Sequence, residues 1–382
     1  MKVAIINPWF ISDKSIGGTE RFVQDLAVTL AKLGHKVDVY MLSGNSYKKN
    51  NVNYISLELF GKNKIADEYM LTEKFGVLDN INTYLNIARI LENKVNCAEY
   101  DFLQLNSHIF LKCWENKKRI FTLHSNYEEF MVLGTEKEFN LMVSIMQEEA
   151  CANTYFVTPS YYYYYKKWLK LIQRNIFCIP HGLNIERLKC NKTKNELLYK
   201  YGLDKNLIKI LLPSRLELIQ KQPNLVLEAL EKLEEEYRNK FQVIFTGLDE
   251  QYNENIEFLK KKAHTSNINA KFIQFNKISE GYKICDVVLI PSKSESFGYS
   301  ALESLYLGIP TLLSKIPSLQ EISEGSSTGI LFGNTNIELA LSLKQIAINK
   351  TIKRKEVSEQ WIKKYSLDLF AQRYVGIINE NR

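Results

Sequence analysis

No run in this chain approaches the roughly 18 apolar residues needed to cross a bilayer, so no spanning helix is expected. No Cys-x-x-Cys occurs, and no set of cysteines and histidines has the spacing of a four-ligand zinc site. Cys97, Cys113, Cys151, Cys178, Cys190 and Cys285 therefore read as free, mostly buried thiols of a reducing compartment. The P-loop pattern is missing, which disfavours that chemistry. Missing too is G-x-G-x-x-G, the dinucleotide fingerprint.

What is present suits a soluble globular chain. At 382 residues, 45% hydrophobic and 24% charged, it exceeds one ordinary core and fits two domains. The opening MKVAIINPWF has one Lys before a short apolar burst closed by Asn-Pro, which predicts a first β-strand and not a signal peptide. The expected compartment is the cytoplasm. A net charge of +7 is modest, and Lys117-Lys118-Arg119 and Lys260-Lys261-Lys262 read as solvated faces, so nucleic acid is not an expected partner. The mild basic bias favours an anionic ligand or an anionic membrane surface.

Periodicity organises the chain. Lys2–Asn7 reads as a buried strand, Gly17-Gly18 as a turn, and Phe22, Leu26, Leu30 and Leu33 as one face of a helix that Gly34 ends. Val37–Leu42 is the next strand, completing a βαβ unit and implying a parallel sheet. Strands at 101–105, 119–123 and 155–157 alternate with helices around 80–92, 136–151 and 160–172. A second series of strands follows at 209–213, 241–246, 271–275, 286–290 and 311–314. Helices at 222–236, 253–263, 300–307 and 336–349 separate them. The class is α/β, with two Rossmann-like doubly wound parallel sheets. Their join falls near 174–178, where no Gly/Ser or Pro-rich linker marks it.

Four constellations carry chemistry. Val287–Pro291 leads into a polar loop with Glu295 and Gly298, then a helix holding Glu303. A helix start suits a phosphate, and Gly298 lets a ligand approach the backbone. Carboxylates there suit neutral hydroxyl donors, so the pattern fits a sugar nucleotide better than bare phosphate. Arg215 and Lys221 lie past a strand's carboxyl end and could neutralise a diphosphate leaving group without a metal. Gly17-Gly18 offers backbone amides at a helix start. His124 ends a strand, with His108 and His181 as competitors that spacing does not rank. Each has a purely structural reading too: a dipole-complementing Glu303, solvated cations, a simple glycine turn and a satisfied core histidine. Asp-x-Asp is absent, and with it the signature of the metal-dependent single-domain route to sugar transfer.

Together these sites resemble the retaining glycosyltransferases of the GT-B fold, family four or group one, nearly end to end. Gly17-Gly-Thr-Glu-Arg21 is similar to that family's Gly-Gly-x-Glu opening, and Thr122-Leu-His124 to its central His motif. Ile179-Pro-His-Gly-Leu-Asn184 resembles its "I-P-N-G-V-D" signpost. Arg215 with Lys221 resembles its basic pair, and Glu295 to Glu303 its E-x7-E motif, with Leu307-Gly-Ile-Pro310 following. Ser214, Gln222 and Ser296 stand where the family usually has Gly, and Asn184 where it has Asp.

The resemblance implies two domains facing across a cleft. These are 1–175, completed by a C-terminal helix at 365–382, and a donor domain at 176–364. It implies no cofactor and no metal, a nucleotide-diphosphate sugar as donor and a hydroxyl acceptor, with retention through an oxocarbenium-like state. Arg215 and Lys221 would hold the diphosphate, with Gly17 and Gly18 closing on it. Glu303 would take the ribose, Glu295 the sugar hydroxyls, and His124 would sit beside the reacting sugar. Ser296, Phe297, Gly298 and Tyr299 complete the expected donor site. Acceptor pockets fall to the loops around 45–80 and 125–140. A second reading is a non-catalytic partner of another transferase, and a third is a phosphorylase or sugar-phosphate synthase of the same architecture. Tyr161–Tyr165 with Lys166, Lys167 and Trp168 reads as a half-buried amphipathic helix or as a face for peripheral contact with the inner membrane surface.

Overall fold

The computed structural model describes residues 1–8, 11, 17–60, 73–125, 127–149, 154–160, 175–349 and 353–379. The tyrosine run at 161–165, with the helix expected around it, lies outside them. The chain divides into two compact units, Met1–Gly182 with Lys364–Arg382, and Leu183–Lys363.

The first unit carries strands β1 (Lys2–Asn7), β2 (Lys36–Met41), β3 (Tyr47–Lys49), β4 (Val52–Ser56), β5 (Phe102–Leu105), β6 (Arg119–Thr122), β7 (Thr154–Thr158) and β8 (Ile176–Cys178). They form one sheet in the order β3-β4-β2-β1-β5-β6-β7-β8. Every pairing is parallel except β3 with β4. That exception is a hairpin in which Asn50 and Asn51, at φ 52° and 61°, make the two-residue left-handed turn that matches strand twist. The hairpin occupies the start of the stretch expected to be an acceptor loop.

The helix Gly18–Lys32 follows β1. Phe22, Leu26 and Leu30 recur every fourth residue and are buried, whereas Leu33 caps the helix and is 41% exposed. Gly34, at φ 89°, ends it. Phe22 meets Phe370 and Tyr374 of the C-terminal helix Leu367–Asn379 at ring-centroid distances of 5.5 and 5.9 Å. A Cβ on Gly182 would lie 2.9 Å from the Leu367 Cα, so only glycine admits that helix start. β8, which the sequence reading gives to the second unit, hydrogen-bonds to β7 and carries the first unit on to Gly182.

Arg119 departs from the solvated-face expectation. It is fully buried in β6, where its guanidinium donates to the Thr154 hydroxyl at 2.6 and 3.1 Å and to the Leu111 carbonyl at 2.9 Å. A buried cation needs such acceptors on every edge of the fork.

The second unit carries β9 (Ile208–Leu212), β10 (Phe241–Phe245), β11 (Ala270–Phe272), β12 (Val287–Ile290), β13 (Thr311–Ser314) and β14 (Gly329–Phe332). The order is β11-β10-β9-β12-β13-β14, all parallel. In the unit's own numbering this is 3-2-1-4-5-6, the doubly wound order whose direction reverses between β9 and β12. Residues of β10, β12 and β13 are buried throughout, as expected for strands covered on both faces. β14 and the helices Ile278–Ile284 and Pro317–Ser323 are additions to the sequence reading. The cysteines described, Cys97, Cys113, Cys178, Cys190 and Cys285, are free. Among the described residues no helix is long and apolar enough to cross a membrane.

Candidate active site

In the second unit the candidate site residues arrive on the two loops flanking the strand-order reversal. β9 and β12 pair through Val287 with Ile210 and Val288 with Leu211, so the loops leaving them start side by side. Four contacts stitch these loops together. The Lys293 N–H donates to the Gln220 carbonyl at 2.8 Å, and the Gln220 amide donates to the Ser294 carbonyl at 3.3 Å. The Ser300 hydroxyl donates to the Pro213 carbonyl at 2.8 Å. Lys221 Nζ meets Glu295 Oε1 at 2.7 Å, with side chains only 12% and 15% exposed.

Local turns set the register of Lys221. The Glu217 carboxylate accepts the N–H groups of Ile219 at 2.6 Å and Lys221 at 3.2 Å, which curls the loop back. Gln222 then takes a left-handed φ of 49°. This is the position where the resembled family has glycine, and the backbone explains the preference. Here the strain is held by a side-chain bond, from the Asn334 amide to Gln222 Oε1 at 3.3 Å. Arg215 is exposed, and Gly247, at φ 69°, lets the loop after β10 press on its backbone. A Cβ on Gly247 would lie 2.5 Å from the Ser214 carbonyl.

The two glutamates sit in different networks. Glu295 accepts from Lys221 and from the Ser292 hydroxyl at 2.8 Å, while its own carbonyl accepts from Ser318 at 2.7 Å. Glu303 lies in the helix Tyr299–Tyr306, is 4% exposed, and accepts from the Tyr282 hydroxyl at 2.8 Å. Gly298 precedes that helix at φ 101°, and a Cβ there would lie 2.8 Å from Leu319 Cδ2. Phe297 is buried and packs edge-on against Tyr299 at 5.4 Å, and Ser296 is half-buried beside it.

The first unit holds a neutral polar cluster. His124 follows β6, and its Nε2 lies 3.1 Å from Asn106 Oδ1, which follows β5. Phe22 lies between His124 and His181, 4.7 Å from each ring. Burial pushes the His124 imidazole down to about 3. Burial, helped by His124, also holds His181 well below the ordinary histidine value. His108 stands apart, paired with Glu138 at 2.6 Å, so the structure separates the three histidines that spacing left equal. At the helix start, a Cβ on Gly17 would fall 2.0 Å from the Glu20 carboxylate, the mobile end of a side chain that can swing aside, so this contact alone does not demand glycine. An anion approaching those amides meets a carboxylate first.

Sequence reasoning missed Glu217, Gln220, Tyr282, Asn106 and Ser318. For Asn106 a signal was there: it ends a strand next to β1, where the first sheet also reverses order.

Two doubly wound parallel sheets, each with its polar groups on the loops leaving the central strands, define the GT-B class of architecture. A family model described as glycosyl transferases group 1 matches residues 193–364, and one described as glycosyltransferase family 4 matches residues 16–187. An uncharacterised glycosyltransferase of Methanocaldococcus jannaschii is 23% identical over 356 residues, 86% of this chain and 84% of that protein. The alpha-1,3/1,6-mannosyltransferase ALG2 of Yarrowia lipolytica is 24% identical over 340 residues, 78% of this chain and 69% of that one. Among solved structures, sucrose-phosphate synthase from Thermosynechococcus elongatus is similar with a TM-score of 0.78 at 16% identity, covering 100% of this chain and 98% of that one. Anabaena HepE in complex with UDP and glucose gives 0.71 at 15% identity, covering 99% of each chain. The chain belongs to the family-four, group 1 glycosyltransferases.

Two outcomes follow from this geometry. In the unfolded chain both imidazoles titrate near the ordinary 6.5, whereas the fold resists protonating them. As pH falls from 6.5 toward 3 the unfolded chain binds protons the folded chain does not, so stability falls through that window. Urea denaturation at a series of pH values should show this slope, and His181→Phe should flatten it. Gly298→Ala should lower stability by about 1–3 kcal/mol, through the left-handed backbone and the Leu319 clash, read as a shifted denaturation midpoint.

Proposed function

We propose that this chain is a retaining, metal-independent hexosyltransferase. It moves a sugar from a nucleotide-diphosphate sugar to a hydroxyl acceptor in polysaccharide, glycolipid or glycoconjugate synthesis. The observation that carries this reading is the Lys221–Glu295 pair at the β9/β12 reversal, with exposed Arg215 on the same loop. Two cations there can take up the charge that develops on a departing diphosphate. Glu295, once Lys221 turns to the phosphates, keeps its Ser292 partner and gains lone pairs for sugar hydroxyls. Glu303, enclosed and fixed by Tyr282, is the ribose acceptor in this scheme.

Ser296, Phe297 and Tyr299 shape the wall beside Gly298, and His124 is the candidate for a sugar hydroxyl. HepE was solved with UDP and glucose, which supports a uridine-diphosphate sugar as the first donor to test. Among the described residues no cluster of three or more His, Cys, Asp or Glu could hold a metal ion. The cationic loop gives the leaving group a counter-charge from the protein itself.

Incubation with a panel of nucleotide sugars should release the nucleoside diphosphate above background, and the sugar product should keep the donor's anomeric configuration. Lys221→Ala should reduce kcat/KM by about a hundredfold or more, and a chelator should leave turnover unchanged. Near-normal turnover in that variant would remove the leaving-group role. Chelator inhibition reversed by Mn²⁺ would overturn the metal-free scheme. No turnover with any donor would favour a non-catalytic partner.

A further inference from the structure

We infer that Asn106 is a positioning residue that fixes His124 as its Nε2-protonated tautomer. The Nδ1 lone pair is then left to accept a hydrogen bond from a hydroxyl of the bound sugar. This rests on the proposed sugar-transfer role of His124, but the tautomer itself follows from the first unit alone.

The Asn106 amide can be oriented without ambiguity. Asn106 is 2% exposed, and its Nδ2 lies 3.2 Å from the Ile6 carbonyl, which also accepts the Asn106 backbone N–H at 3.1 Å. A carbonyl only accepts, so the nitrogen end of the amide must face Ile6 and the oxygen end must face His124. A second donor agrees with this assignment. The Gln104 amide nitrogen lies 3.4 Å from the same Oδ1. Gln104 is itself held by donating to the Thr122 hydroxyl at 2.6 Å, and that hydroxyl meets the Tyr374 hydroxyl at 2.9 Å.

An amide oxygen carries no proton. Its 3.1 Å contact with His124 Nε2 is therefore a hydrogen bond only when Nε2 bears the hydrogen. The groups facing His124 are Phe22 from the helix Gly18–Lys32, Asn106 after β5, and His181 after β8. His181 is the titratable one, and burial keeps both imidazoles neutral. A neutral ring protonated on Nε2 has an acceptor at Nδ1. Such an atom welcomes a hydroxyl and repels a carboxylate or phosphate oxygen, so the class of group it reads is a sugar hydroxyl.

The test is nitrogen-15 NMR of the full-length protein labelled at histidine, with His124 assigned by loss of its signals in His124→Gln. At neutral pH, His124 should show a proton-bearing Nε2 and a lone-pair Nδ1; a protonated Nδ1 overturns the inference. Asn106→Leu should give mixed tautomers and a kcat roughly tenfold lower, with donor KM little changed. A loss of kcat with the tautomer unchanged assigns Asn106 a merely structural role and overturns the inference, as does unchanged kcat. Asn106→Asp keeps an acceptor, so it should keep the tautomer and most of the turnover at high pH. Its new charge raises the His124 pKa, and kcat should then fall on the acid side where the wild type is flat. Should Asn106→Leu fail to fold, the wild-type spectrum and the Asn106→Asp pH profile decide. Absence of sugar transfer in the wild type would sink the proposed function while the spectrum still decided the tautomer.

Discussion

Loops after neighbouring parallel strands diverge at one place only, where the strand order reverses and successive crossovers leave for opposite faces of the sheet. In the second unit that place is the β9/β12 pair, and the chemistry is crowded onto it. Arg215 and Lys221 come from one loop, and Glu295 and Gly298 from the other. The sheet order thus decides which residues can meet, and the short stitches from Gln220 and Ser300 decide how closely.

The half-buried Lys221–Glu295 pair is a poor source of net stability, because desolvating two charges offsets most of their attraction. In the proposed scheme its value lies in exchange: each partner holds the other in place, and a ligand offering a diphosphate to one and hydroxyls to the other would replace a single contact with two. Ser292 and Glu217 keep the glutamate and the lysine loop positioned through that exchange. A pair made for rigidity alone needs neither support at the mouth of a strand-order reversal.

Much of the fold was legible because buried parallel strands are short apolar runs and the helices between them repeat every three to four residues. The strand Val287–Ile290 and the helix Asn336–Asn349 follow from pattern alone. β14 did not, since Gly329–Phe332 opens on glycine at the sheet edge, where Ile330 and Leu331 stay about 40% exposed and the buried apolar run that marks a central strand is missing. The β3–β4 hairpin carried a readable signal in Asn50-Asn51, because paired asparagines tolerate the left-handed turn. Arg119 was illegible for a different reason. A basic triplet looks solvated, and only tertiary acceptors from Leu111 and Thr154 let one member turn inward. Of the candidate site, the charged residues showed in their spacing. Glu217 did not, because a residue that orients another has no spacing rule of its own, and Asn106 was marked only by its place at a strand end.

The two units differ in electrostatic character. The second gathers cations and carboxylates on the loops at a reversal point, whereas the first surrounds His124 with an amide, an aromatic ring and a second neutral imidazole. Charge on His124 would be costly in that setting, because burial penalises it. Neutrality is therefore built in by packing. The amide of Asn106 adds what packing cannot, a direction for the one proton that a neutral imidazole keeps.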